Sequence, residues 1–188
     1  MQITSVRVGA SIVVLLLTTI LCNWGAAKQN DTEVPVVYQV GEIKIIEPWA
    51  KSEIGSHHVK LFFEFRNEGD EPDQLQTVRS AINDGPNQVI AVNLDNGRRT
   101  LSEISTLDIP IGLPTYELSE IGYYLQLSNI KTPLLMGSKF TVELVFKNAG
   151  PVNVDFVVRF HSPKLTRRIR DAAQSGDIET LKALRPQK

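Results

Sequence analysis

Residues 122–160 read GYYLQLSNIKTPLLMGSKFTVELVFKNAGPVNVDFVVRF, and this stretch decides the fold. It contains three runs in which apolar and polar residues alternate, and a period of two is typical of half-buried β-strands. Turn-forming residues separate the runs, among them Pro133, Gly137 and Gly150. Three consecutive strands with one apolar face each need a second sheet to cover that face. The stretch therefore predicts part of a β-sandwich.

The sequence before this stretch continues the same pattern. We expect strands over residues 34–40 with a continuation at 42–46, and then over 59–66, 74–80, 88–94, 99–104 and 116–118. Glu47 and Pro48 are expected to end a strand, residues 51–56 and 109–114 to form loops, and residues 95–97 (DNG) to form a hairpin turn. With residues 122–160 this gives about nine short strands at the spacing of an all-β sandwich.

The composition is that of an ordinary globular domain. Of the 188 residues, 42% are hydrophobic and 22% are charged, and the formal net charge is -1. A nearly neutral chain has no general attraction to nucleic acid or to acidic membranes. We therefore expect no nucleic-acid partner.

Residues 1–27 have the pattern of a signal peptide. Arg7 is the only charged residue before Lys28, an apolar run covers residues 12–22, and small residues follow, with Ala27 suited to cleavage after it. This predicts a periplasmic or secreted protein. The alternative is an uncleaved anchor, because the uncharged span 8–27 is close to the ~20 residues that cross a bilayer; membrane contact is expected only in that case. Acylation of Cys22 is a third interpretation, but Leu21 precedes it where lipoprotein signals have a small residue.

Cleavage after Ala27 would leave a mature chain without cysteine, because Cys22 is the only one in the sequence. Disulfides and thiolate metal ligands would then be excluded, although the compartment tolerates disulfides. The stability of the domain is therefore expected to come from its core alone.

The pattern changes to helical spacing after Phe160. Leu165, Ile169 and Ala172 fit one face of a helix over residues 165–175, with Gly176 as its stop, and Asp177 can cap a second helix. The pair resembles the two helices of one ankyrin repeat. Because a lone repeat cannot bury its own apolar faces, we expect it to dock on the sandwich or associate loosely with it. A basic cluster at its start is interpreted as a solvated helix face: Lys164, Arg167, Arg168 and Arg170.

Several segments together resemble the PCuAC family of periplasmic copper chaperones. They are residues 47–50 (EPWA), residues 63–73 (FEFRNEGDEPD), and the glycine-tyrosine strand, proline loop, glycine turn and valine-rich last strand within 122–160. The resemblance covers roughly residues 42–160 and implies a cupredoxin-like Greek-key β-sandwich. The expected organisation is a signal peptide (1–27), a linker with the first strand (28–41), the PCuAC-like sandwich (42–161) and an ankyrin-like helical tail (162–188).

The resemblance also implies where copper would be bound. In the chaperones, copper(I) is held by a histidine, a later methionine and a His-x-Met pair, and thioether sulfur and imidazole suit this soft ion. The matching positions in this sequence are Val92, Leu101, Tyr124 and Gln126. Two of these side chains have no donor atom, and a phenol and an amide oxygen are hard donors. We therefore expect no metal at the family positions and no resident cofactor, with copper(I) as the alternative.

His57 and His58 are the remaining candidate metal ligands. Neighbours on a strand point to opposite faces, whereas in a loop both imidazoles could reach one ion. The plainer interpretation is two solvated polar residues at the start of a strand. A rearranged copper(I) site at these histidines stays open as the alternative.

The sequence contains no motif of a known catalytic site. It has no G-x-S-x-G, no H-E-x-x-H, no P-loop and no dinucleotide fingerprint, so we do not expect an enzyme. Our hypothesis is a non-catalytic binding or assembly module with a contact patch at Tyr123, Tyr124 and Gln126, because tyrosine is favoured at interfaces. Its partner would be an unknown protein, such as membrane-protein assembly machinery. The alternative is a copper(I) carrier for respiratory oxidase assembly that uses a rearranged site.

Overall fold

Eleven strands and two helices follow one another in the part of the chain that the computed structural model describes, residues 35–53, 55–95, 97–112, 116–119 and 122–184. The predicted signal peptide lies outside these residues. The strands are β1 (Val37–Val40), β2 (Ile43–Ser52), β3 (His58–Asn67), β4 (Asp73–Ser80), β5 (Asn87–Asp95), β6 (Arg98–Ile104), β7 (Leu107–Ile109), β8 (Tyr116–Glu117), β9 (Tyr123–Ser128), β10 (Lys139–Phe146) and β11 (Gly150–Val158), and the helices are α1 (Pro163–Ser175) and α2 (Ile178–Ala183).

The strands form one continuous sheet that closes over a shared core. Their order is β6-β5-β9-β3-β2-β11-β10-β4-β7, with β1 on β2 and β8 on β3. The paired strands run antiparallel except β2 and β11, which are parallel where Trp49 lies opposite Val157. Both halves of the sheet supply the core: the ring centroids of Phe63 on β3 and Phe156 on β11 are 6.2 Å apart. The all-β sandwich predicted from residues 122–160 is confirmed.

The alternation that predicted the last two strands matches their burial. On β10, Val142 and Leu144 are buried while Thr141 is exposed, and on β11, Val154 and Phe156 are buried while neighbouring side chains face solvent. This is the pattern of an antiparallel pair with one face on the core. The main core therefore lies on the side of the sheet that the sequence indicated.

Two predicted strand bounds were wrong. Strand β2 does not end at Glu47 and Pro48 but continues to Ser52, and its register with β3 shifts between Ile46 and Trp49. Glu47 takes a left-handed backbone conformation (φ 51°), so a bulge absorbs the proline that would otherwise stop the ladder. The other error concerns residue 109, which was assigned to a loop over residues 109–114. It is the last residue of β7, a short strand that was not predicted and that pairs with β4.

Both C-terminal helices are confirmed. Ser162 caps α1 by accepting a hydrogen bond from the Leu165 N–H (3.2 Å), and Gly176 ends it in the left-handed conformation. The Asp177 carboxylate caps α2 by accepting the Thr180 N–H (3.0 Å). The likeness to an ankyrin repeat stays a prediction. None of the helices in the described residues is long and apolar enough to cross a membrane.

Candidate functional site

The four positions implied by the resemblance lie on one face of the sheet. Val92 is directly opposite Leu101 in the β5–β6 ladder, and on β9 Tyr124 is opposite Ile90. Gln126 lies two residues after Tyr124, and residues two apart on a strand share a face. We call this surface of β6, β5, β9, β3 and β2, which points away from the main core, the outer face. The structure therefore brings together positions that are separated in the sequence.

A second apolar cluster fills the middle of the outer face. It consists of Phe62, Ile90, Val92 and Tyr124, with Trp49 packed against it. The rings of Trp49 and Phe62 are stacked with centroids 4.5 Å apart, and Phe62 and Tyr124 follow at 6.2 Å. These separations are typical of favourable aromatic pairs. The aromatic side chains thus form a packed layer that runs from β2 across β3 to β9.

Tyr124 is part of this layer. Only 1% of its surface is exposed, and the Lys60 ammonium group lies 5.5 Å from the centroid of its ring. A lysine at this distance over a tyrosine face is a cation–π contact. The Tyr124 ring is therefore packed inside the protein, whereas Gln126 beside it is half-buried and still reaches the surface.

The structure separates Tyr123 from Tyr124 and Gln126. Tyr123 is partly buried and packs against the main core, because neighbouring residues on a strand point to opposite faces. Of the three residues expected to form a contact patch, two share the outer face and one of those is buried. Trp49 and Ile90 were not predicted to be part of this surface. The sequence did contain a local signal on β3, where residues 61–63 (LFF) are all apolar, so that apolar side chains point to both faces of the sheet.

The donor atoms at the four positions are few. Val92 and Leu101 offer none, Tyr124 offers a phenol and Gln126 offers an amide. Across the described residues, no group of three or more His, Cys, Asp or Glu side chains is placed to hold a metal ion. The middle of the outer face consists mainly of aromatic and aliphatic side chains.

The two histidines lie at the end of the sandwich where β3 begins. His58 is the first residue of β3, and its Nδ1 is 3.1 Å from the Ser128 hydroxyl on β9. His57 precedes the strand, and its carbonyl accepts the Ile130 N–H (3.1 Å). Both side chains are exposed. The two histidines thus lie where polar surface residues are expected, at the start of a strand, and His58 is within hydrogen-bond distance of a serine.

The first turn of α1 borders the outer face. Residues 162–164 line a small cleft together with Trp49, Phe63 and Glu64 of the sheet and with Glu47. Lys164 forms an ion pair with Glu64, and Arg167 holds the Glu47 carboxylate with both guanidinium nitrogens, one of them at 2.9 Å. Such a bidentate pair fixes orientation as well as position. The tail is therefore attached to the sandwich beside Trp49.

Asp73 is a buried carboxylate at the start of β4. One oxygen accepts the N–H groups of Gln74 (2.7 Å) and Asn148 (2.9 Å), and the other accepts the Ala149 N–H (2.9 Å). Burial raises the pKa of this group, but the hydrogen bonds from Asn148, Ala149 and Gln74 together outweigh burial and hold the pKa below its ordinary value. Asp73 therefore stays charged and ties the start of β4 to the β10–β11 turn.

The strands that carry this face match a known family and known structures. Residues 43–158 match the model of the LpqE-like family, described as "lipoprotein LpqE-like". No curated protein matches the chain. The copper-bound PCuAC domain from PmoF2 is 26% identical with a TM-score of 0.56, over 66% of this chain and 97% of that domain.

Two further structures have the same fold. The apo PCuAC domain from PmoF1 is 24% identical with a TM-score of 0.56, over 66% of this chain and 98% of that one. The copper(I) form of DR1885 from Deinococcus radiodurans is 17% identical with a TM-score of 0.51, over 71% of this chain and 85% of that one. These likenesses confirm the predicted cupredoxin-like sandwich.

Proposed function

This chain belongs to the LpqE-like family and has the copper-chaperone fold of PCuAC domains, and on that premise we propose that it is a non-catalytic binding or assembly module whose copper ligands have been replaced. The observation that carries the proposal is the outer face. The four positions where the resemblance implies histidine and methionine lie on that face as Val92, Leu101, Tyr124 and Gln126. A fold alone does not transfer a site, so the side chains present decide.

The chemistry of the outer face supports loss of copper binding. Copper(I) prefers thioether, thiolate and imidazole donors, and the four side chains provide none of them. Tyr124 and Val92 are instead buried in an aromatic and aliphatic layer with Phe62 and Ile90. The layer covers this surface with aromatic and aliphatic side chains, which stabilise the sheet. The four positions therefore offer no cluster of soft metal-ligand atoms.

We further propose an extracytoplasmic location. The LpqE-like and PCuAC families are usually extracytoplasmic, which is consistent with a cleaved signal peptide over residues 1–27 and a periplasmic or secreted domain. The description of the family as lipoproteins supports the alternative in which Cys22 is acylated. Leu21 before that cysteine counts against it.

Copper(I) titration of the full chain tests the proposal. We expect no tight one-to-one complex, because the outer face lacks soft donors. The PCuAC domain from PmoF2, titrated under the same conditions with a competing chelator, is the positive control, since its structure contains copper. A stoichiometric copper(I) complex of this chain that competes with the chelator would overturn the proposal.

The second candidate function is copper(I) delivery through His57 and His58, which lie side by side and exposed at the start of β3. The double variant His57→Ala/His58→Ala separates the candidates if a complex is found. Loss of that complex, with retention in His161→Ala, would assign it to the rearranged site. His161 is a matched control because it is also an exposed histidine.

The proposed partner is a protein of an assembly machinery that contacts the outer face around Gln126. Gln126→Arg should weaken binding of a partner that co-purifies with the chain by about tenfold or more, because a bulky cation would stand beside Lys60 in the contact. Gln76→Arg on β4, an exposed glutamine far from the outer face, is the control and should leave the complex intact. Equal binding by both variants would remove the outer face from the contact. Co-purification followed by quantitative binding measurements gives the result.

A further inference from the structure

Strand β6 is an unprotected edge of the sheet. It is the last strand in the sheet order, and among the described residues it pairs with β5 alone. Its residues are exposed on both faces, apart from the half-buried Ile104. Natural proteins blunt such edges with prolines, bulges, very short strands or charged side chains. The charges on β6 are of both signs, so they can also pair across an edge. This strand has seven residues without proline or glycine and keeps a regular register with β5.

The backbone groups that point outward from this edge can be identified. The Val92 N–H on β5 donates to the Gly122 carbonyl on the β9 side (2.7 Å). In an antiparallel ladder, the N–H and C=O of one residue point the same way, so Val92 and its partner Leu101 form a pair without mutual hydrogen bonds. The N–H and C=O of Leu101 therefore point to the free edge. By alternation, those of Arg99 and Glu103 do the same.

The order of side chains on β6 is self-complementary. In an antiparallel pairing with the two-fold axis at Leu101, the two Leu101 side chains meet, Arg99 lies opposite Glu103 of the second copy, and Thr100 lies opposite its Ser102. The outward groups of three residues on each copy would form about six backbone hydrogen bonds. We propose that two copies of this chain associate through this pairing of β6 with β6.

Charge selects this register over its neighbours. Moving the axis by one residue in either direction sets Arg99 opposite Leu101 or Ser105, and the cross-strand pairing of Arg99 with Glu103 is lost. With the axis at Leu101, each Arg99 meets a Glu103. The Glu103 carboxylate also accepts the Gln88 side-chain amide on β5 (2.6 Å), which holds it on the outer face. Opposite charges directly across a ladder favour pairing, and like charges disfavour it.

The exposed apolar residues near β6 fit the same arrangement. Leu101 is 57% exposed and Leu94 is 62% exposed, and both share the outer face with Val92. Pairing at Leu101 would place a row of valine and leucine side chains across four strands of two copies. An edge contact of this length is smaller than the roughly 1,200 Å² of a standard stable interface. The dimer is therefore weak and dependent on concentration, so a covalent trap is the suitable test.

Cysteine cross-linking of the full chain, with Cys22→Ser in every variant, tests the register. The Cα atoms of the two Leu101 residues should lie about 5.5 Å apart, within the range of a disulfide. Leu101→Cys should therefore become mostly a disulfide dimer on mild oxidation. Arg99→Cys and Glu103→Cys are matched controls, because each position lies about 14 Å from its own copy, four residues along a strand. Each alone should cross-link less than a tenth as much, whereas a mixture of the two should form the mixed disulfide.

Two results would overturn the proposal: Leu101→Cys cross-links no more than Arg99→Cys alone, or the mixture gives no mixed disulfide. Sedimentation provides a second measurement without cysteine. Arg99→Glu should weaken the dimer at least tenfold, and adding Glu103→Arg should restore it. The two positions are about 14 Å apart within one chain, so restoration reports a contact between copies. A double variant that stays monomeric at the concentration where the wild type dimerises would also contradict the pairing.

Discussion

Replacing Arg167 with alanine is expected to lower the free energy of unfolding by about 3 kcal/mol, because it leaves a buried carboxylate without its partner. The Glu47 side chain is only 6% exposed and sits at the bulge of β2. Both of its oxygens accept from the Arg167 guanidinium group. The variant must either bury an unpaired charge or open the bulge to water. Either response also weakens the attachment of α1 beside Trp49, where the Lys164–Glu64 ion pair remains.

Denaturant unfolding and the fluorescence of Trp49 measure the two parts of this prediction. A red shift of the folded-state emission should accompany the loss of stability, since residues 162–164 border Trp49. Arg168→Ala is the matched control, because Arg168 is the next residue on the helix and is exposed. Equal effects of the two variants would show that the ion pair does not hold the tail.

Asp73→Asn is expected to lower the free energy of unfolding by about 2 to 3 kcal/mol near neutral pH. The two carboxylate oxygens accept three backbone N–H groups, whereas an asparagine side chain has one accepting oxygen and an NH₂ group that cannot accept. The effect on pH dependence follows from the lowered pKa of Asp73. Asp73 binds a proton less readily in the folded protein than in the unfolded chain, where the pKa of an aspartate is about 3.9. The stabilisation by Asp73 is therefore fully present above about pH 4 to 5 and is lost as the pH falls through the folded-state pKa.

Unfolding of wild type and variant between pH 7 and pH 2 isolates this contribution. Glu68 and Asp177 also have lowered pKa values, and taking the difference between the two proteins removes their share. The difference in stability should shrink as the solution becomes acidic. Asp108→Asn is the control, because Asp108 is an exposed carboxylate on the neighbouring strand β7. A difference that stays constant down to pH 2 would argue against a charged Asp73 in the folded state.

Much of the fold could be predicted because its signals are local. The alternation along β10 and β11, the stop at Gly176 and the cap at Asp177 each act within a few residues. The continuation of β2 past Pro48 could not be predicted, because it depends on a bulge that β3 and the bidentate contact from Arg167 accommodate. Tertiary pairing overrides a local stop signal in such cases.

The face of the sheet on which the candidate site residues lie could be predicted, but the side chains that surround them could not. A spacing of two along β9 places Tyr124 and Gln126 on one face, and the β5–β6 hairpin sets Val92 beside Leu101. The burial of Tyr124 depends on Phe62 and Trp49, which come from strands much earlier in the sequence. The role of Asp73 could not be predicted either, because two of its three hydrogen-bond donors follow about 75 residues later.

The parallel pairing of β2 with β11 also governs when the domain can fold. Trp49 pairs with Val157, so the seam between the two halves of the sandwich joins segments about a hundred residues apart in the chain. Non-local pairing of this kind makes folding slow, because long loops must close before their contacts form. A nascent chain that still lacks β11 cannot join the β10, β4 and β7 part of the sheet to β2. The two halves of the sheet can therefore meet only after residue 158 has been made, and the apolar faces of both halves stay uncovered until then.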